Sequence, residues 1–287
     1  MRLNRGPVFA RMLIEELGGP RDVLSIATEL RLEIRWVASS GFDGALVRPT
    51  NLPIGTILVR NSIRESGRKA FTVAHEIGHF VIPGHDRTDL VCTANDVGNW
   101  SDEAKDLERE ADEFAAELLM PTATVQPMIK SERPSLSLIE RIAQTTNASF
   151  SAAGRRYCDL TDERCAFVWS TRGTVCWSKC SEEFGHRIYK GSEVASGTYA
   201  FDCLKRQDVP TQPEQVDAGL WLPNNRLIPG SKLHEESRFF GSYESVVSLL
   251  WINQRIEKYK QEEDEELLQE LDPGEFGLAR KRWPGRK

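Results

Sequence analysis

The sequence predicts an α+β fold, helical in its first half and β-rich in its second. Three observations carry that prediction. Before residue 160, apolar residues recur at helical spacing in several stretches. Between Cys165 and Phe240, short apolar runs are split by glycine turns. The length of 287 residues, 40% of them hydrophobic, is enough for a well-buried core and for more than one domain.

The elements follow in chain order. Residues 7–18, PVFARMLIEELG, place apolar side chains at helical spacing and end on glycine. A second helix, PRDVLSIATELR, comes next, then three strand-like pieces, LEIRWV, GALVR and TILVRNS. A helix beginning near Arg68 carries FTVAHEIGHFVI, and Pro83 and Gly84 turn the following VIPGHDRTD into a loop. SDEAKDLEREADEFAAELLMP reads as a long helix, with Ser101 at its N-cap, acids in its first turn and Pro121 beyond its end. SLSLIERIAQTTNASFSAAGRRY reads as two short helices joined near Asn147. CAFVWST, GTVCWSK and GTYAFDCL read as strands. GSYESVVSLLWINQRIEKYKQEEDEELLQEL reads as a closing helix, and the basic end ARKRWPGRK as a frayed tail. No internal repeat is visible.

Composition excludes some classes. No run of about 18 apolar residues exists, so no membrane span is expected. Arg11, Glu15 and Glu16 break the first apolar stretch, which is an amphipathic helix pattern and not a signal peptide; the expected location is the cytoplasm. A net charge of −6 argues against general nucleic-acid binding, which needs a basic face. Six cysteines in this length do not make a disulfide scaffold, and free thiols are expected.

The chemistry lies in FTVAHEIGHFVI. Positions i and i+4 of a helix lie one above the other, so His75 and His79 point the same way and can share one ion. Zinc accepts neutral imidazole nitrogen at about 2.0–2.1 Å. Glu76 sits about 100° further round the helix, where it reaches a water rather than the ion. Two histidine ligands and a carboxylate that takes a water's proton form the pattern of a metal-activated hydrolase. Two imidazoles and a carboxylate buried in this apolar run would be costly without a partner, and a metal supplies one. A third ligand is needed. Glu108 and Asp112 lie on one stripe of the acidic helix with Ala115 and Ala116, whose small size lets that helix approach closely. Glu108 is the candidate ligand, and Asp112, one turn on, can accept the N–H of a ligand histidine. His85 is a rival third ligand on a tight Pro-Gly loop. Glu103, Glu110 and Glu113 are expected on a solvated face.

RKAFTVAHEIGHFVI followed by LEREADEFAAELLMP resembles the ImmA/IrrE family of intracellular metallopeptidases, as does TILVRNS before the motif. The resemblance covers roughly residues 7–160. It implies a zincin-like fold with an HExxH motif, zinc held by His75, His79 and Glu108, and Glu76 as general base. At position 112 the family often has asparagine, and Asp112 departs from that. The resemblance also implies a substrate: a helix-turn-helix repressor, cleaved to induce the genes it silences. The expected division is a zinc peptidase domain over 1–130, a helix-turn-helix-like segment over 131–160, a β-rich accessory domain over 161–257, and a charged helix with a basic tail over 258–287. The alternative function is a partner-binding regulator, of a toxin–antitoxin kind, that keeps the zinc fold without turnover; an intact Glu76 favours the enzyme.

Three further features have a plain reading. The strand TILVRNS has either an exposed edge that pairs with an extended peptide or two partners within its own sheet. The pair around Asn147, with Arg155 and Arg156, resembles a DNA-reading helix pair, but the acidic chain favours packing against the peptidase. Cys176 and Cys180, with His186 and Cys203, are expected as strand-core residues rather than a second metal site.

Overall fold

The structure is a computed structural model that describes residues 5–49, 54–85, 102–206, 209–210, 212–223, 227, 230–241 and 244–253. The chain opens with α1 (Arg5–Glu16) and α2 (Val23–Glu29). The Asp22 side chain caps α2 by accepting from the Leu24 and Ser25 amides, two of the donors that a helix start leaves without partners. Three strands follow, β1 (Leu32–Val37), β2 (Gly44–Val47) and β3 (Gly55–Arg60). Then come α3 (Ser66–Val81), which carries the histidine motif, and the acidic α4 (Asp102–Leu119).

The first sheet has the order β1-β3-β2. β3 runs parallel to β1, from Leu32 opposite Gly55 to Val37 opposite Arg60, and antiparallel to β2. β3, the strand of TILVRNS, is therefore central and paired on both sides, so the edge role falls away from it. The reason lies in its pattern. Its alternate residues Ile57 and Val59 are fully buried, and a strand that buries one face this well sits in the middle. Among the described residues, β2 is the edge strand beside α3.

The core under this sheet joins Ile26, Leu32, Ile57, Val59, Val73, Ile77, Phe114 and Leu118. A fully buried side chain such as Ile77 contributes roughly 1.5–3 kcal/mol by leaving water. α3 and α4 approach closely at Gly78, where an added Cβ would stand 3.3 Å from the Ala111 Cα. That contact brings the two site-bearing helices together.

Past Met120, the chain forms α5 (Thr122–Ser131), a helix not anticipated from the sequence, then α6 (Leu136–Thr146) and α7 (Phe150–Leu160). The Ser135 and Ser149 hydroxyls cap α6 and α7, and Asn147 takes the left-handed conformation (φ 50°) that ends α6. Strands β4 (Cys165–Thr171) and β5 (Thr174–Cys180) follow, then a 3-10 turn at Glu182–Phe184. The rest is α8 (Tyr199–Leu204), β6 (Glu214–Asp217), α9 (Ala218–Trp221), β7 (Lys232–Phe240) and β8 (Ser245–Trp251). These strands make one antiparallel sheet in the order β5-β4-β8-β7-β6.

Two elements differ from expectation. GTYAFDCL contains helix α8, because the Thr198 side chain accepts from the Phe201 amide and starts a helical turn. SVVSLLW is strand β8, not the opening of a closing helix. All seven of its residues are buried, and a run apolar on both faces fits a central strand as well as a helix by period alone. The rest of that expected helix, with the charged tail over 258–287, lies outside the described residues, as does Ser101.

The second sheet is buried on both faces. Phe167, Val247, Leu249 and Trp251 pack against α5, α6 and α7, with Leu138, Ile139, Ile142 and Tyr157. Ala166, Val168, Val246 and Leu250 face α8 and α9, as the two-residue period of strands dictates. Arg156 is buried and bonded to Glu117, the Met120 carbonyl and Thr122, so its charge ties α7 to α4. Arg155 stacks over the Trp177 ring, 3.9 Å from its centroid. The pair around Asn147 therefore buries one face in protein. No described helix is long and apolar enough to cross a membrane.

Candidate metal centre

α3 turns His75, Glu76 and His79 into the interior, all buried. Across from them α4 supplies Glu108 and, one turn on, Asp112. His75 Nε2 and His79 Nε2 lie 3.0 Å apart. Glu108 places Oε2 3.1 Å from the first nitrogen and Oε1 3.3 Å from the second. Four donors around a zinc ion at about 2.0–2.1 Å stand about 3.3 Å from one another in a tetrahedron. The three side chains thus stand at the separations a shared ion requires. Two imidazoles and a carboxylate are also the donor types zinc takes. Among the described residues, this is the group of histidine, cysteine and acidic side chains able to hold a metal.

The two histidines keep Glu108 ionised. Burial pushes Glu108 upward, but hydrogen bonds and charge from His75 and His79 outweigh it and hold the carboxyl well below the usual range. Asp112 Oδ1 lies 2.9 Å from His75 Nδ1, behind the nitrogen that faces the cluster. A ring whose far N–H is held in this way turns its other nitrogen's lone pair toward the cluster.

Glu76 lies beside the two histidines on α3, with its carboxylate against β2. The Leu46 amide donates to its carboxylate. Burial raises its pKa above the usual range, and the charges of His75 and His79 oppose that rise. Gly44 makes the close approach possible: a Cβ there would stand 2.7 Å from Glu76 Oε1. Arg68, two turns before Glu76, bonds Asp43 at the start of β2 and keeps strand and helix together.

His85 is not among the cluster's ligand atoms. It stands behind His79, with Nδ1 3.0 Å from His79 Nδ1 and Nε2 3.1 Å from Glu110 Oε2. Burial pushes it below the usual imidazole range, against the hydrogen bond to Glu110. Glu110 is therefore not on a solvated face, and Arg5 also donates to it. The sequence reading missed this arrangement. The one available signal was a third histidine six residues past His79; nothing local pointed to Arg5. Cys176, Cys180, His186 and Cys203 form no such group; Cys176 and Cys180 sit half-buried on β5 as free thiols.

An apolar cavity of about 520 Å³ opens beside the cluster. Phe71 on α3, Phe150 on α7, and Trp169, Trp177 and Phe240 on the second sheet line it. The Phe71 ring lies 6.4 Å from the ring of His75, so one wall of the cavity neighbours the cluster.

Residues 31–157 match the peptidase M78 family, described as an IrrE N-terminal-like domain. That span contains every residue of the cluster, together with Glu76, His85, Glu110 and Asp112. No curated protein matches the chain. Among solved structures, a Mycobacterium tuberculosis transcriptional regulator is similar in fold: TM-score 0.52 and 13% identity, over 86% of this chain and 75% of that one. The motif helix, the acidic helix and the family match converge on one assignment: residues 31–157 match an IrrE N-terminal-like domain, consistent with the ImmA/IrrE family.

Proposed function

We propose that the chain is a zinc-dependent endopeptidase acting on a helix-turn-helix repressor. The observation that carries the peptidase reading is the spacing of His75, His79 and Glu108, with Glu76 beside them and an edge strand next to Glu76. The repressor as substrate rests on the family resemblance, and the description of the similar mycobacterial protein as a transcriptional regulator agrees with it.

In this reading His75, His79 and Glu108 hold the ion, and Asp112 accepts the His75 Nδ1–H. Zinc, when bound there, supplies Lewis acidity that polarises the scissile carbonyl and acidifies a water. Glu76 would take a proton from the water as its oxygen adds to the scissile carbonyl, and would deliver it to the amine nitrogen as the C–N bond breaks. Its burial beside the Leu46 amide keeps the carboxylate in one place during both transfers. β2 offers the extended substrate an edge to pair with, the role that β3 cannot fill.

The test incubates the purified chain with the repressor encoded beside its gene, with zinc and with a chelator, using wild type and Glu76→Gln. Cleavage is expected from the zinc-loaded wild type alone. Glu76→Gln should retain zinc yet lose on the order of 10²–10⁴ in rate, the usual contribution of a general base. Tight binding of the repressor by the zinc-loaded wild type without any cleavage would favour the partner-binding regulator instead.

A further inference from the structure

The histidine that the cluster leaves unused belongs to a continuous chain of polar contacts. The His85 side chain is fully buried, yet both its ring nitrogens have partners. Its Nδ1 meets His79 Nδ1 at 3.0 Å, and its Nε2 meets Glu110 Oε2 at 3.1 Å. The same Glu110 oxygen accepts from Arg5 Nε at 3.2 Å. Arg5 Nη2 also donates to the Pro83 carbonyl at 2.7 Å, in the turn that presents His85. The chain thus runs from the metal cluster through two imidazoles to a carboxylate paired with an arginine.

Its direction is set by proton counting. A neutral imidazole carries one N–H. When His79 Nε2 serves an ion, the His79 proton must be on Nδ1. That proton can only be donated to a lone pair on His85 Nδ1. His85 then carries its own proton on Nε2, which donates to the Glu110 carboxylate. Every group in the sequence has one permitted role, and the reverse order would leave His79 Nε2 protonated and unable to bind.

We infer that His85, backed by Glu110 and Arg5, is a positioning residue that fixes the ring orientation and tautomer of His79 for metal binding. The inference rests on reading the cluster as a zinc site. Asp112 stands in the same relation to His75, so each ligand histidine has its own support, from α4 on one side and from the Pro-Gly turn on the other. Partners of this kind typically contribute 10–100-fold to metal affinity. A histidine that merely filled the core would affect folding and leave the ion's surroundings alone.

The experiment uses the full chain and measures zinc affinity by chelator competition, with the visible spectrum of the cobalt-loaded protein as a second readout. His85→Leu keeps volume and removes the acceptor. His85→Asn restores an acceptor near the Nδ1 position. His85→Leu is expected to weaken zinc binding by about 10–100-fold and to change the cobalt spectrum, with His85→Asn recovering most of both. Zinc affinity in His85→Leu within about twofold of wild type, with an unchanged cobalt spectrum, overturns the inference. Should His85→Leu fail to fold, Glu110→Leu, which removes the acceptor for His85 Nε2–H, decides: weakened zinc binding in a folded chain supports the relay, and wild-type affinity overturns it. If wild type itself bound no zinc, the metal-site reading would fall and this inference with it. If the relay inference alone were wrong, wild type and every variant would bind zinc equally well.

Discussion

Glu108 shows how one side chain joins two helices chemically. It leaves α4 with each oxygen within hydrogen-bond distance of a histidine nitrogen on α3. Its carboxyl is held far below the usual range, so it stays ionised where the ion would sit. Removing it leaves two imidazoles, which make a weaker site than three donors. Glu108→Ala should therefore lose zinc by more than about 100-fold, beyond the effect of any residue that only supports a ligand. Chelator competition at fixed pH checks this, and affinity equal to wild type would move the third ligand elsewhere. The contrast with Glu110 is instructive. Two positions later on the same helix, it faces the far side of His79, through His85, and never the cluster.

Helix packing is decided by single small residues. Gly6 in α1 lies against α4, and a Cβ there would stand 2.2 Å from the Glu110 carbonyl oxygen and 2.9 Å from the Phe114 nitrogen. Both obstacles are backbone and cannot rotate away. Alanine has a better helix propensity than glycine by about 1 kcal/mol. Overpacking costs about 1–3 kcal/mol and here forces two helices apart, so the clash wins. Gly6→Ala should lower the melting temperature by several degrees, at roughly 2–4 °C per kcal/mol for a domain of this size. An unchanged or higher melting temperature would show that α1 can slide at no cost. The same shift would carry Arg5 away from Glu110, so the relay behind His79 depends on this contact.

On the scale of the whole molecule, the metal cluster and the second sheet belong to different cores. All the cluster's side chains precede residue 121, which makes the first part sound self-sufficient. The packing says otherwise. α5, α6 and α7 bury Leu138, Ile139, Ile142 and Tyr157 against Phe167, Val247, Leu249 and Trp251. Gly154 lets α7 lie so close to β4 that a Cβ would meet the Phe167 ring at 2.5 Å. A chain ending at Asp159 would open that core, while Arg156 still tied α7 to Glu117 on the site-bearing α4. Such a chain should bind a hydrophobic dye and unfold without a cooperative transition, although it contains all three candidate ligands. Cooperative unfolding at the wild-type temperature would show the halves to be independent.

The sequence by itself determined the features that depend on near neighbours. Histidines at i and i+4 share a helix face because helix geometry is local, and the Nε2 atoms of His75 and His79 lie 3.0 Å apart. Residues 165–171 form β4 at the bounds that CAFVWST suggests, and Ser135 and Ser149 cap their helices through amides three residues away. Only the tertiary structure decided that β3 is central and β2 the edge, that SVVSLLW is the middle strand of a sheet, and that His85 stands between His79 and Glu110. Strand order depends on which faces are buried by the rest of the chain, and an all-apolar run does not declare it. The relay needs Arg5 and Glu110, 105 residues apart, to meet over one buried ring. No local pattern encodes a contact that exists only once α1, α4 and the turn after α3 have packed together.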